Sequence, residues 1–144
     1  MEYQDTVKLL KECDAGTKMG ISSIDEVLEK VCDSQMKELL QKSKAHHENL
    51  ENDICSMLQE RNACEKDPSP VAKGMSWMKT NMKLAMDNSD ATVADLITDG
   101  CNMGVKTLNR YLNQYKAADE VSKDIAKRLI NLEEALAVDI RSFL

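Results

Sequence analysis

Four residues whose side chains can bind protons, metals or electrophiles interrupt otherwise apolar helical stripes: Thr17, His47, Cys101 and Glu133. Two chain reversals are expected, one near Cys32-Asp33 and one near Ala117-Ala118. Thr17 lies about 15 residues before the first and His47 about 15 after it, and Cys101 and Glu133 bear the same relation to the second. Antiparallel helices advance equally per residue, so this spacing predicts one polar layer across the core. Such a layer can do three things. Its members can satisfy one another by hydrogen bonds and fix helix register, as single buried polar residues do in coiled coils. His47, Glu133 and Cys101 can hold one zinc or iron ion, three protein ligands leaving a position for water. Or His47 can activate Cys101 as a nucleophile. The first is the most economical, because a carboxylate buried alone costs several kcal/mol and must find a partner.

The elements that carry these residues are legible from an internal repeat. A shift of 84 residues places Gly16-Thr17-Lys18-Met19-Gly20-Ile21 on Gly100-Cys101-Asn102-Met103-Gly104-Val105. A shift of 86 places Asp53-Ile54-Cys55-Ser56-Met57-Leu58 on Asp139-Ile140-Arg141-Ser142-Phe143-Leu144. Apolar residues recur at steps of three and four throughout, the helical period. The first helix, expected over 5–31, has the seam Leu10, Cys13, Thr17, Gly20, Ile24, Val27, Val31; its counterpart, over 90–116, has Ala94, Ile97, Cys101, Gly104, Leu108, Tyr111, Tyr115. The second, over 34–61, runs through Met36, Leu40, Ser43, His47, Leu50, Ile54 and Met57. Its counterpart, from 119 to the end, runs through Ser122, Ala126, Leu129, Glu133, Leu136, Ile140 and Phe143. The expected fold is all-α: a single domain over 1–144, built as a four-helix bundle from two hairpins, 5–61 and 90–144. Between them lies a crossover, 62–89, in which Ser69-Pro70 opens a short extra helix over 70–87. That helix has a Met-rich stripe, Val71, Met75, Met78, Met82 and Ala85, which packs along the bundle or offers an adaptable surface for self-association.

A duplicated hairpin with a long crossover and inward polar residues at mid-helix resembles the ferritin-like superfamily. The run from Pro70 through Leu112 is similar to an uncharacterised bacterial branch of it. The resemblance implies a ferritin-like bundle, in which di-iron members use a Glu from each of two helices and a Glu-x-x-His from each of the other two. Here Thr17 and Cys101 stand where single carboxylates are expected, Lys44 replaces the Glu three before His47, and Leu136 replaces the His three after Glu133. A two-iron centre is therefore not expected, and the possible cofactor reduces to a single zinc or iron.

Gly16-x-x-x-Gly20 and Gly100-x-x-x-Gly104 hold four of the five glycines, each of which costs a helix interior about 1 kcal/mol against alanine. The expectation is that they let the first and third helices approach closely; the alternative is that they leave room for a small ligand. Asp14, Glu51 and Glu134 flank the seams and are expected to face water, as is Asp99. His46 falls at the boundary, and Cys64, in a polar stretch, is the cysteine expected to be most exposed.

Composition narrows the function. The net charge is −6, from 25 acidic against 19 basic residues with no basic block, which removes nucleic acid and anionic membranes as partners. No run approaches the roughly 20 apolar residues of a membrane span, and Met1-Glu2-Tyr3-Gln4-Asp5 does not open a secretory signal, so a cytoplasmic protein is expected. Five cysteines without a CxxC pair do not make a disulfide framework. The functional expectation is a non-enzymatic ferritin-like bundle acting as an interaction or structural protein. The alternative is a metal-binding enzyme or sensor centred on His47, Glu133 and Cys101.

Overall fold

The computed structural model describes residues 1–63 and 89–144, which form helices and connecting turns with no strand among them. Helix α1 spans Glu2–Leu28, α2 Ser34–Glu60, α3 Asp90–Gln114 and α4 Glu120–Asp139, the last tightening into a 3-10 turn over Ile140–Phe143. The expected crossover helix over 70–87, its methionine stripe and Cys64 lie outside the described residues.

Each later helix begins on a side-chain cap that satisfies otherwise orphaned backbone N–H groups. Asp33 accepts from Gln35 and Met36, Ser89 from Thr92, and Asp119 from Ser122. The hairpin turns are tied down by the opposite hairpin. Asp90, at the start of α3, accepts from the backbone N–H of Cys32 and Asp33 in the α1–α2 turn. Asp5 and Thr6, near the start of α1, accept from Ala117 and Asp119 in the α3–α4 turn. These clamps fix the directions: α1 and α3 run antiparallel, and the chain leaves α2 at one end of the bundle and enters α3 at the other.

Each helix touches its hairpin partner, α2 touches α4, and α1 touches α3. Across the bundle α1 also meets α4, whereas α2 and α3 do not meet, so the section is a rhomb with α1 and α4 on its short diagonal. The core falls into two apolar halves. One holds Ile24, Val27, Met36, Leu40, Val93, Ile97 and Leu136; the other holds Leu9, Leu10, Leu50, Ile54, Leu108, Leu129 and Ile130. Between them the buried residues are polar, Thr17, His47 and Glu133 among them. No described helix is long and apolar enough to cross a membrane.

Candidate functional site

His47, on α2, is fully buried and reaches across to Glu133 on α4. Its Nδ1 lies 2.8 Å from the carbonyl oxygen of Ser43 and its Nε2 lies 2.9 Å from Glu133 Oε1. A carbonyl can only accept, so Nδ1 carries a hydrogen. Burial lowers the basicity of the ring, but the hydrogen bond and charge of Glu133, helped by Ser43, outweigh it and raise the His47 pKa. The ring is thus held between the Ser43 carbonyl and the Glu133 carboxyl, with its protonated form favoured. The Cys101 thiol, on α3, is held protonated by burial and by the charge of the neighbouring Glu133 carboxylate. A nucleophilic cysteine needs the opposite shift, so this geometry does not activate Cys101.

Three members of the predicted layer therefore meet, and the fourth turns elsewhere. Thr17 is fully buried, but its hydroxyl lies 2.6 Å from Glu51 Oε2 on α2 and within reach of the carbonyls of Cys13 and Asp14. Glu51 and Asp14 were expected to face water and instead turn inward. Asp14 is buried, Lys18 pairs with its Oδ2 at 2.9 Å, and Lys18 also lies 3.7 Å from Glu51 Oε1. Burial and a hydrogen bond to Asp14 push the Glu51 carboxyl up to about 7, against the opposing influence of Thr17 and Lys18. The inward turn has a physical cause: a carboxyl group raised by burial and by its neighbour, with a lysine beside both, can enter a helix interface that a lone charged carboxylate cannot.

The residues present do not fit a two-iron centre. Lys44 reaches Asp25 on α1 at 2.6 Å rather than the core, Leu136 is packed in an apolar half, and the carboxyl group bonded to His47 is that of Glu133. Among the described residues no group of three or more His, Cys, Asp and Glu side chains is arranged to hold a metal ion.

The glycines do something other than draw α1 and α3 together. Glu12, Gly16, Gly20 and Ile24 form one stripe of α1, and Ile97, Gly100, Gly104 and Tyr111 line the facing side of α3, bordering a half-open cavity of about 480 Å³. Leu129, Glu133 and Leu136 from α4 and His47 from α2 form its floor, and Met19 and Met103 stand at its edges. A Cβ at Gly20 would sit 2.9 Å from both Cδ2 and Nε2 of His47. Gly20 is therefore the gap through which the imidazole of α2 passes α1 to reach Glu133. A Cβ at Gly104 would be in ordinary contact with Glu133 at 3.7 Å. At Gly100 a Cβ would meet nothing within 4 Å among the described residues. The close contacts at the glycines are with side chains of α2 and α4, and among the described residues open volume lies between the glycine-bearing stretches of α1 and α3.

One end of the cavity is polar. Tyr111 and Glu12 both line it, and burial together with the nearby Glu12 carboxylate raises the tyrosine pKa, keeping it a donor. Tyr111 also stacks on Tyr115 with ring centroids 5.9 Å apart. Sequence reasoning did not single out Glu12, Met19 or Met103. The signal was present: Glu12, Gly16, Gly20 and Ile24 follow the i, i+4 rule, and the 84-residue shift carries Met19 onto Met103.

No family model, no curated protein and no solved structure matches this chain.

Proposed function

We propose that the protein is a non-enzymatic, ferritin-like helical bundle that binds a small, largely apolar molecule in the cavity between α1 and α3. This refines the interaction protein expected from the sequence by giving the partner a size and a place. The observation that carries the reading is Gly100. A mid-helix glycine costs about 1 kcal/mol against alanine, and here no described neighbour would be displaced by a side chain. What the glycine preserves is space. The volume, about 480 Å³, falls in the range of small-molecule sites, and the walls are apolar with a few convergent polar groups, as such sites are. The ferritin-like kinship is supported by the two hairpins, the antiparallel α1 and α3, and a single long connection between hairpins.

The test is binding of Prodan, an uncharged naphthalene dye, to the wild-type protein and to Gly100→Leu, whose side chain would project into the cavity. The expected result is one saturable site per chain with a blue-shifted emission, lost in Gly100→Leu while the melting temperature holds or rises. Dye binding that is absent in the wild type, or undiminished in the variant, would refute the reading.

A further inference from the structure

The cavity is elongated and its chemistry changes from end to end. Along α1 it runs from Glu12 to Ile24, about 18 Å at the helical rise, and along the antiparallel α3 from Tyr111 to Ile97. Glu12 therefore lies at the same end as Tyr111, and Ile24 at the same end as Ile97 and Leu136. The first end carries a half-buried carboxylate and the Tyr111 phenol, whose ring is backed by Tyr115 outside the lining. The second is hydrocarbon apart from Ser23.

Among the described residues, the charges along the cavity have one sign in excess. Its lining includes the carboxylates of Glu12 and Glu133, the imidazole of His47 and, among the described residues, no lysine or arginine. The His47–Glu133 pair neutralises itself within a 2.9 Å hydrogen bond. That leaves Glu12, whose neighbour across the cavity is a neutral hydroxyl. Arg110 is close enough to Tyr111 to act on it but is not part of the lining. Resting on the reading of this cavity as a ligand site, we infer that its occupant is a cationic amphiphile: an organic ammonium seated against Glu12 and the Tyr111 ring, with its apolar body along the glycine stripe toward Ile24 and Ile97. Aromatic faces and a carboxylate attract an ammonium together, and neither attracts a carboxylate or phosphate head. A fatty acid of the same shape would place its charge beside Glu12 and be rejected.

Three probes of one chain length separate these terms: octylamine, 1-octanol and octanoate, each titrated calorimetrically at pH 7 into the intact protein. The amine is expected to bind at least about tenfold more tightly than octanoate, with the alcohol between them. Glu12→Gln, a change at the half-buried end, should bring the amine down to the alcohol and leave the alcohol unchanged. Gly100→Leu should abolish all binding. Octanoate equal to or tighter than octylamine, or an amine preference that survives Glu12→Gln, overturns the assignment of a cation while leaving the cavity a site. Failure of all three probes to bind, or binding untouched by Gly100→Leu, overturns the cavity reading and this inference with it.

Discussion

Replacing single glycines by alanine separates two roles that look identical in sequence, because Gly16 and Gly20 occupy the same repeat positions as Gly100 and Gly104. At Gly100 the added methyl meets no described atom within 4 Å, so Gly100→Ala should return the helix-propensity difference, a stabilisation of about 1 kcal/mol. For a chain of this size that is a rise in melting temperature of about 3–4 °C. At Gly20 the methyl would lie 2.9 Å from the His47 ring, a rigid group that is fully buried and hydrogen-bonded at both nitrogens. The ring must move off Glu133. Breaking a buried pair costs about 3–5 kcal/mol, and with about 1 kcal/mol of propensity regained Gly20→Ala should lose about 2–4 kcal/mol, or about 10 °C. Gly104→Ala, in ordinary contact with Glu133 at 3.7 Å, should resemble Gly100→Ala. Thermal and urea unfolding followed by circular dichroism measure all three. A stabilised Gly20→Ala would refute the passage of His47 beside α1, and a destabilised Gly100→Ala would refute the open volume at α3.

Stability should fall as pH rises from about 5 to about 8. The Glu51 carboxyl titrates near 7 in the fold against an ordinary 4.5, so the folded state holds a proton that the unfolded chain has released, and that advantage disappears as pH passes 7. His47, raised above its ordinary 6.5, contributes below that value and loses its contribution as pH rises through the folded-state pKa, so both act in one direction; urea midpoints across this range check it, and Asp14→Asn should flatten the Glu51 part. Ser43→Ala should be neutral or stabilising by up to about 1 kcal/mol in the same unfolding assay, because the buried Ser43 hydroxyl has no hydrogen-bond partner among the described residues and its carbonyl, which His47 uses, is retained. Exposed Cys32 should react with a disulfide reagent within the mixing period, whereas Cys13, pushed up to about 12 by burial and by Glu12 and Asp14, and Cys101 should react only as the protein opens; mass spectrometry of timed alkylation reads this directly, and early labelling of Cys101 would contradict its contact with Glu133.

The hairpins and the meeting of His47, Glu133 and Cys101 were legible because both follow from counting. Apolar spacing gives each helix its inner face, and equal rise along antiparallel neighbours sets the level. Boundaries moved by a few residues. The expected α1, 5–31, begins at Glu2 and ends at Leu28, and the expected α3 ends at Gln114 rather than 116. What counting does not supply is rotation about the helix axis and the choice of diagonal. Thr17 is at the right level but its hydroxyl faces α2, where Glu51 accepts from it. Asp14 and Glu51 read as solvated flanks because a charged side chain is ordinarily exposed; the raised Glu51 carboxyl arises from burial beside Asp14 and is visible in neither residue alone. The glycines were noticed, but their spacing is equally compatible with contact and with space. The deciding fact is that α1 and α4 take the short diagonal, which lets side chains from α2 and α4 form a floor beneath the open side of α1 and α3.

The two halves of the chain differ where their symmetry makes sameness expensive. His47 and Glu133 are separated by 86 residues, the shift that superimposes α2 on α4, so each stands at the other's repeat position and they face one another near the centre of the bundle. A chain with strictly identical halves would set a residue type against itself there. Two glutamates at hydrogen-bond distance would have to share a proton or recruit a cation, and two histidines could not both be charged. One of each gives a donor and an acceptor of opposite charge, a layer that is neutral without any added ion. The same asymmetry continues at Thr17 and Cys101, where a hydroxyl serves the Asp14–Glu51 cluster on one side and a protonated thiol serves Glu133 on the other. The positions that line the cavity have kept their likeness: Gly16 with Gly100, Met19 with Met103, Gly20 with Gly104. Replacing the pair as a unit tests the division. His47→Leu with Glu133→Met should fold with stability near that of the parent, since a buried ion pair exchanged for apolar groups of similar volume is often neutral or favourable, while either single change leaves an unpaired buried charge and loses about 3–5 kcal/mol. If the double variant also keeps the Prodan site, the central pair sets register and the glycine-lined faces of the two halves carry the binding; if the site is lost while the fold survives, the polar floor is part of what the ligand meets.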